Sequence, residues 1–130
     1  MPEVDFRWRM LRAPLGYPRE ATLFPFEAES LHLLALEEGR VVGCVLFHPE
    51  DEGTGRLFQM AVSPERQGQQ LGRRLVRELE AEARRRGLRA VTLHARGTAV
   101  GFYAKLGYAV VGEPFVEHGV EHRHMRRALD

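Results

Sequence analysis

"SPERQGQQLGRRL", Ser63–Leu75, is the stretch on which the reading of this chain turns. Ser63-Pro64 ends an apolar run, Gly68 and Gly72 enclose a row of side-chain amides, and a helical periodicity starts inside the segment. Glycine lets backbone approach a ligand closely and takes positive φ at no steric cost. The first-turn N–H groups, from about Gly68 to Arg73, have no helical partners and point outward at the positive end of the helix dipole. Arg66, Arg73 and Arg74 add full positive charge. A helix start of this kind suits an anion, and its shape suits a pyrophosphate. Plain capping is the alternative reading of the same residues. The stretch has neither the Gly-Lys-Ser/Thr ending of a Walker loop nor a G-x-G-x-x-G fingerprint.

Working outward, "RLFQMAV" (Arg56–Val62) reads as the strand that delivers the chain into this loop. From about Gln69 to Arg86, Leu71, Leu75, Val76, Leu79 and Ala83 recur at spacings of three and four, which predicts a long amphipathic helix stopped by Gly87. "RAVTLHA" (Arg89–Ala95) is a short apolar strand, so strand, helix and strand form a crossover that places the two strands parallel. Upstream, Phe6–Ala13 has helical spacing and is ended by Pro14, Gly16 and Pro18. Leu31–Leu36 and Arg40–His48 read as a hairpin turning at Glu37–Gly39. Downstream come a short helix over Thr98–Leu106, a strand from Tyr108, a turn in "VEHGVEH" and a last strand in "HRHMRRAL". The expected architecture is α/β of mixed α+β type: one domain over residues 1–130, with one twisted mixed sheet flanked by helices.

The totals agree with a globular enzyme or binding domain. A chain of 130 residues buries a core without disulfides or a structural metal. Its composition, 44% hydrophobic and 28% charged with a net charge of +1, gives no global argument for nucleic acid or a membrane surface as partner. The only cysteine, Cys44, lies in the apolar run "VVGCVLF" and reads as a small core residue, so the chain fits a reduced, cytoplasmic setting. No apolar run reaches membrane-spanning length, and "MPEVDFRWRM" carries charge from its third residue, unlike a signal peptide.

"GFYAKLGY" (Gly101–Tyr108) follows the second strand of the crossover and puts two aromatics on a short helix. Parallel strands deliver this helix and the glycine loop to one end of the sheet, where open α/β sheets bind ligands. "MAVSPERQGQQLGRRLV" followed by "AVGFYAKLGY" resembles the GNAT superfamily of acetyl-CoA-dependent N-acetyltransferases. The family's phosphate loop is Q/R-x-x-G-x-G/A, and Gln67–Gly72 follows it with Gln70 where the middle glycine is usual. The tail Glu113–Met125 resembles a small bacterial subgroup with an acidic-x-Gly-Ile/Val-Pro-His ending, Glu121 replacing the proline. "MLRAPLGYP" is similar to the same subgroup. The resemblance spans residues 31 to 128 and implies the GNAT fold, its sheet splayed between strands 56–62 and 89–95.

The resemblance also implies roles. Acetyl-CoA is the cosubstrate, with no metal. Gln67, Gly68, Gln69, Gln70, Leu71, Gly72 and Arg73 hold its diphosphate. Met60, Ala61 and Val62 pair with its pantetheine amides as a strand edge pairs with a peptide, and the main chain near Met60 faces the developing oxyanion. Tyr103 matches the family's proton donor to the departing thiolate; a phenol with an ordinary pKa of about 10 holds its proton at neutral pH. Arg96 stands where the family often has Asn, and arginine suits a phosphate. "RLFQMAV" and "RAVTLHA" carry no carboxylate to act as base, so the base is a histidine, a carboxylate elsewhere or a water chain. His122 is the residue chosen here, as base or acceptor contact. His122 and His124 share one strand face, His94 reads as a packed strand residue, and a metal site would need more ligands. The acceptor is a small-molecule or peptide amine, and a homodimer is compatible with the family. The alternative reading is a non-catalytic acyl-CoA-binding module of the same fold; a domain holding another nucleotide in the same loop is a third.

Overall fold

The computed structural model describes residues 2–12, 30–50, 53–68 and 70–130. Helix α1 (Pro2–Arg7) starts earlier than the apolar spacing indicates. Proline at its first position and Glu3 and Asp5 in its first turn suit a helix start, since the missing N–H costs nothing there and the acids meet the dipole. It passes into a wide π turn over Trp8–Arg12. Ala13, Pro14, Gly16 and Pro18 lie outside the described residues.

Strands β1 (Leu31–Glu37), β2 (Arg40–Pro49) and β3 (Thr54–Val62) precede helix α2 (Leu71–Arg85). Strand β4 (Ala90–Arg96), helix α3 (Val100–Lys105), and strands β5 (Ala109–Glu117) and β6 (Val120–Ala128) follow. The six strands lie in the order β1-β2-β3-β4-β6-β5. Only the β3–β4 pair is parallel among the pairings described, Thr54 to Leu57 opposite Ala90 to Leu93, as a crossover through α2 requires. The two hairpins turn on Glu38-Gly39 and His118-Gly119, each with positive φ at both positions. That is the mirror-image turn whose twist matches the flanking strands.

The chain groups into two compact units, residues 1–48 with 59–79 and residues 49–58 with 80–130. In the first, Phe6, Cys44 and Ala61 form a core with Met10, Leu11 and Val41 against them. Gly43 faces Leu71 and Leu75: a Cβ there would stand 3.1 Å from the Leu75 side chain, so α2 owes its close seat on β2 to a missing methyl. Arg7 is fully buried and donates to Glu3 at 2.8 Å, and His32 Nδ1 lies 2.7 Å from the same carboxylate.

In the second unit α2 ends in a Schellman motif: Gly87 (φ 77) donates to the Arg84 carbonyl, and Leu88 donates to that of Ala83. α3 ends the same way at Gly107 (φ 101), with Tyr108 N–H donating to the Tyr103 carbonyl. Glu80 is fully buried; it accepts from the Tyr108 hydroxyl at 2.8 Å and from Arg127 at 2.7 Å. These bonds fasten the second half of α2 to the turn after α3 and to β6.

Candidate active site

The loop before α2 is built from unusual backbone. A single 3₁₀ turn over Pro64–Arg66 leads to Gln67, Gly68 has φ 85 and Gln70 has φ 66. Gln70, standing where the resemblance places a glycine, thus adopts the left-handed conformation that glycine favours. The first helical bond of α2 runs from Arg74 N–H to the Gln70 carbonyl at 3.0 Å. The amides of Leu71, Gly72 and Arg73 therefore precede any intrahelical partner. A Cβ at Gly68 would meet nothing within 4 Å, so the backbone there faces open space. Gln69 lies outside the described residues.

The charges divide differently from the sequence reading. Arg66 forms a two-pronged pair with Glu37, its Nε 2.6 Å from the carboxylate, and the guanidinium holds the Glu37 carboxyl below its usual range. Its charge is spent within the unit, tying the loop to the end of β1. Arg73 is exposed. Gln67 donates its side-chain amide to the Val62 carbonyl at 3.0 Å, which fastens the loop to the end of β3 and occupies one of the backbone acceptors expected to face pantetheine.

Met60, Ala61 and Val62 form the last residues of β3, Ala61 buried and the other two half-buried. Just before them Gln59 has φ 50, a left-handed residue within a strand, and Phe58 and Gln59 are buried in succession where alternation should expose one. The left-handed residue interrupts the regular alternation of the strand just before Met60. Gln59 is 8% exposed, and its side-chain oxygen and nitrogen are both buried with no hydrogen-bond partner among the described residues. The Cys44 thiol donates to its backbone carbonyl at 3.3 Å. Sequence reasoning passed over Gln59; its only signal was an amide in an otherwise apolar strand.

The second unit carries Tyr103, Arg96 and His122. Tyr103 is buried on α3, edge-to-face with Phe102 at 5.0 Å and with Tyr108 at 5.9 Å between ring centroids. Burial pushes its phenol well above the ordinary value. Arg96 ends β4, half-buried, and its Cα is paired across the ladder with that of His122. His122 is buried, with Nδ1 2.8 Å from the Val120 carbonyl and Nε2 3.7 Å from Glu117.

His94 does more than pack. Its Nδ1 lies 3.1 Å from Glu117 and 3.2 Å from the Arg56 guanidinium. Burial first, then the Arg56 charge, depresses its pKa below the usual imidazole value, against the pull of Glu117. Cross-strand register sets His94 opposite His124, and Phe115 opposite His122. Phe115 stacks on His124 at 4.2 Å and lies 5.8 Å from His122. His122 and His124 thus share a face as their spacing indicates, and Glu117, the acidic position of the acidic-x-Gly tail pattern, brings its carboxylate to His94 and His122. That meeting became legible only once the His118-Gly119 turn fixed the register. No group of three or more histidine, cysteine or acidic side chains among the described residues could hold a metal ion. No described helix is long and apolar enough to cross a membrane.

The sequence pattern of the Acetyltransferase (GNAT) domain matches residues 19–129. The chain belongs to this family. GNAT enzymes take acetyl-CoA as acyl donor, and this chain is an N-acetyltransferase of that kind. It is 37% identical over 112 residues to an IAA acetyltransferase of Azospirillum brasilense, covering 72% of each chain. It is 31% identical over 97 residues to the uncharacterized N-acetyltransferase YitI of Bacillus subtilis, covering 70% of this chain and 65% of that one. Solved structures show the same fold. An acyl-CoA N-acyltransferase from Pseudomonas aeruginosa superposes with a TM-score of 0.82 at 23% identity, over 98% of this chain and 88% of that one. An aminoglycoside 6′-N-acetyltransferase complexed with coenzyme A gives 0.80 at 21% identity, over 96% and 89%. The open backbone at Gly68 and the start of α2, whose positive dipole end follows it, fit the diphosphate of such a donor.

Proposed function

We propose that this GNAT enzyme, residues 1–130 working as one domain, moves the acetyl group of acetyl-CoA to a primary amine by direct attack of the amine on the thioester. The observation that carries the reading is the loop backbone, with positive φ at Gly68 and Gln70 immediately ahead of the first turn of α2. Gln67 to Arg73 hold the diphosphate, and Arg96 contacts a phosphate. Met60, Ala61 and Val62 align the pantetheine arm, with the Met60 N–H as donor to the developing oxyanion. Names of relatives that include N-acetyltransferase support a nitrogen acceptor.

Tyr103 supplies the hydrogen bond to the departing sulfur. With its phenol raised by burial, it stays protonated through the working range and donates without surrendering its proton fully. The thiolate then takes its proton from solvent as coenzyme leaves. His122 accepts the proton of the amine: its Nδ1–H is committed to the Val120 carbonyl, which leaves Nε2 as the basic atom. The carbonyl carbon gains the C–N bond and loses the C–S bond.

The test is release of free thiol from acetyl-CoA across a panel of primary amines, with wild type beside Tyr103→Phe. Tyr103→Phe is expected to bind coenzyme as wild type does and to lower kcat by about 10²-fold. Wild-type turnover in that variant removes the tyrosine from the mechanism, and absence of thiol release from wild type with every amine removes acetyl transfer to a primary amine.

A further inference from the structure

A groove of about 400 Å³ lies in the first unit, between strand β1 and the first half of helix α2. Leu34 and Leu36 line it from β1, and Leu71, Arg74, Leu75 and Glu78 line it from α2. Leu34 is 39% exposed and Leu36 62%, although Cys44 to Phe47 on the neighbouring strand are fully buried. β1 is the outermost strand of the sheet, and among the described residues no strand pairs with its outer edge. Edges of this kind are ordinarily blunted by lysine, proline or inward charge. "LHLLALE" has no lysine, arginine or proline, and its one carboxylate, Glu37, is spent on Arg66.

The charges left in the groove say what kind of surface fits it. Arg74 and Glu78 are exposed, and their side chains form no ion pair or hydrogen bond among the described residues. An arginine four residues ahead of a glutamate is the weaker order for a pair within one helix. The two therefore offer one positive and one negative charge about 6 Å apart along the helix axis. A strongly acidic or strongly basic partner would satisfy one of them and oppose the other. A helix running the opposite way with the same two residues satisfies both. A two-fold axis beside β1 and normal to the sheet supplies that helix, because it reverses strand and helix together. β1 then runs antiparallel to its copy, as hairpin-type edges pair, and α2 runs antiparallel to its copy.

We propose that the β1–α2 face of the first unit is the contact surface of a homodimer, in which Arg74 meets the partner's Glu78, Glu78 meets the partner's Arg74, and Leu34 and Leu36 are covered between the copies. The contact is isologous, so it closes at two copies. It does not depend on the acyl transfer proposed above.

Sedimentation equilibrium over a concentration series tests it, with far-UV circular dichroism showing that each variant is folded. Wild type is expected to dimerise reversibly. Arg74→Glu sets carboxylate against carboxylate twice, once on each side of the axis, and Glu78→Arg does the same with guanidinium groups. Each is expected to weaken the dimer at least about tenfold. The double variant Arg74→Glu/Glu78→Arg rebuilds both pairs with the signs exchanged and is expected to return to within about threefold of wild type. Leu36→Asp is expected to leave only monomer. A wild type that stays monomeric up to about 0.5 mM overturns the proposal. So does a dimer indifferent to both single charge reversals, since its contact then lies elsewhere. A double variant no tighter than the singles overturns the reciprocal pairing and the proposal with it.

Discussion

Gln59 combines a left-handed backbone with two buried polar atoms that no described group satisfies. An unpaired buried amide costs about 1–3 kcal/mol, so an ordinary core position would not keep one. Gln59→Met preserves length and removes both orphan atoms. It is expected to raise the unfolding free energy by about 1 kcal/mol in urea titrations while lowering turnover at least about tenfold, the trade expected of a site residue. A gain in stability with full activity would make Gln59 a structural accident. Cys44 poses the opposite case. It is fully buried, and burial pushes its thiol up to about 12. The folded protein therefore holds this proton at pH values where the unfolded chain sheds it. Stability from this group is complete below about pH 9 and falls by about 1.4 kcal/mol per unit as pH rises toward 12. Urea unfolding at pH 7 and pH 10 should show a smaller alkaline loss in Cys44→Ala than in wild type.

Among the elements, α2 is the one whose sequence and structure agree best, because its apolar spacing and its glycine stop are local signals. Leu75, Val76, Leu79 and Ala83 are all buried, as their spacing requires. Glu80, on the same helix, has no such signal; a glutamate between Leu79 and Ala81 reads as solvated. Its complete burial follows from Tyr108 and Arg127, which reach it from elements 28 and 47 residues away. Glu80→Ala leaves a guanidinium and a phenol without their acceptor and is expected to cost about 3 kcal/mol in urea unfolding. Glu80→Gln, which still accepts from one of them, should cost less. An unchanged midpoint in Glu80→Ala would show that the buried carboxylate contributes nothing net. The loop ahead of α2 was legible as a backbone feature for a related reason, since its glycines and helix start lie within one short segment. Arg66 was misjudged there because its partner Glu37 belongs to a strand far back in the chain.

At the scale of the whole molecule, each compact unit contains its own share of the proposed machinery. Residues 1–48 with 59–79 carry the loop and the end of β3, and residues 49–58 with 80–130 carry Tyr103, Arg96 and the histidines. The chain passes from one unit to the other three times, at the end of β2, inside β3 and inside α2, so each unit is assembled from separate stretches. Ligand binding to the native state stabilises it by mass action, about 2.7 kcal/mol at a concentration of 100 Kd. Coenzyme A should therefore raise the melting temperature by several degrees, and ATP at the same concentration by clearly less. Equal shifts would return the loop to a general nucleotide site. The sequence alone determined the order of elements, the crossover, the hairpin turns and the family, because periodicity, glycine placement and a motif are written in neighbouring residues. Only the tertiary structure decided which charges are spent, which carboxylate stands between the imidazoles and where an amide is buried unpaired, because those depend on register and packing between residues distant along the chain.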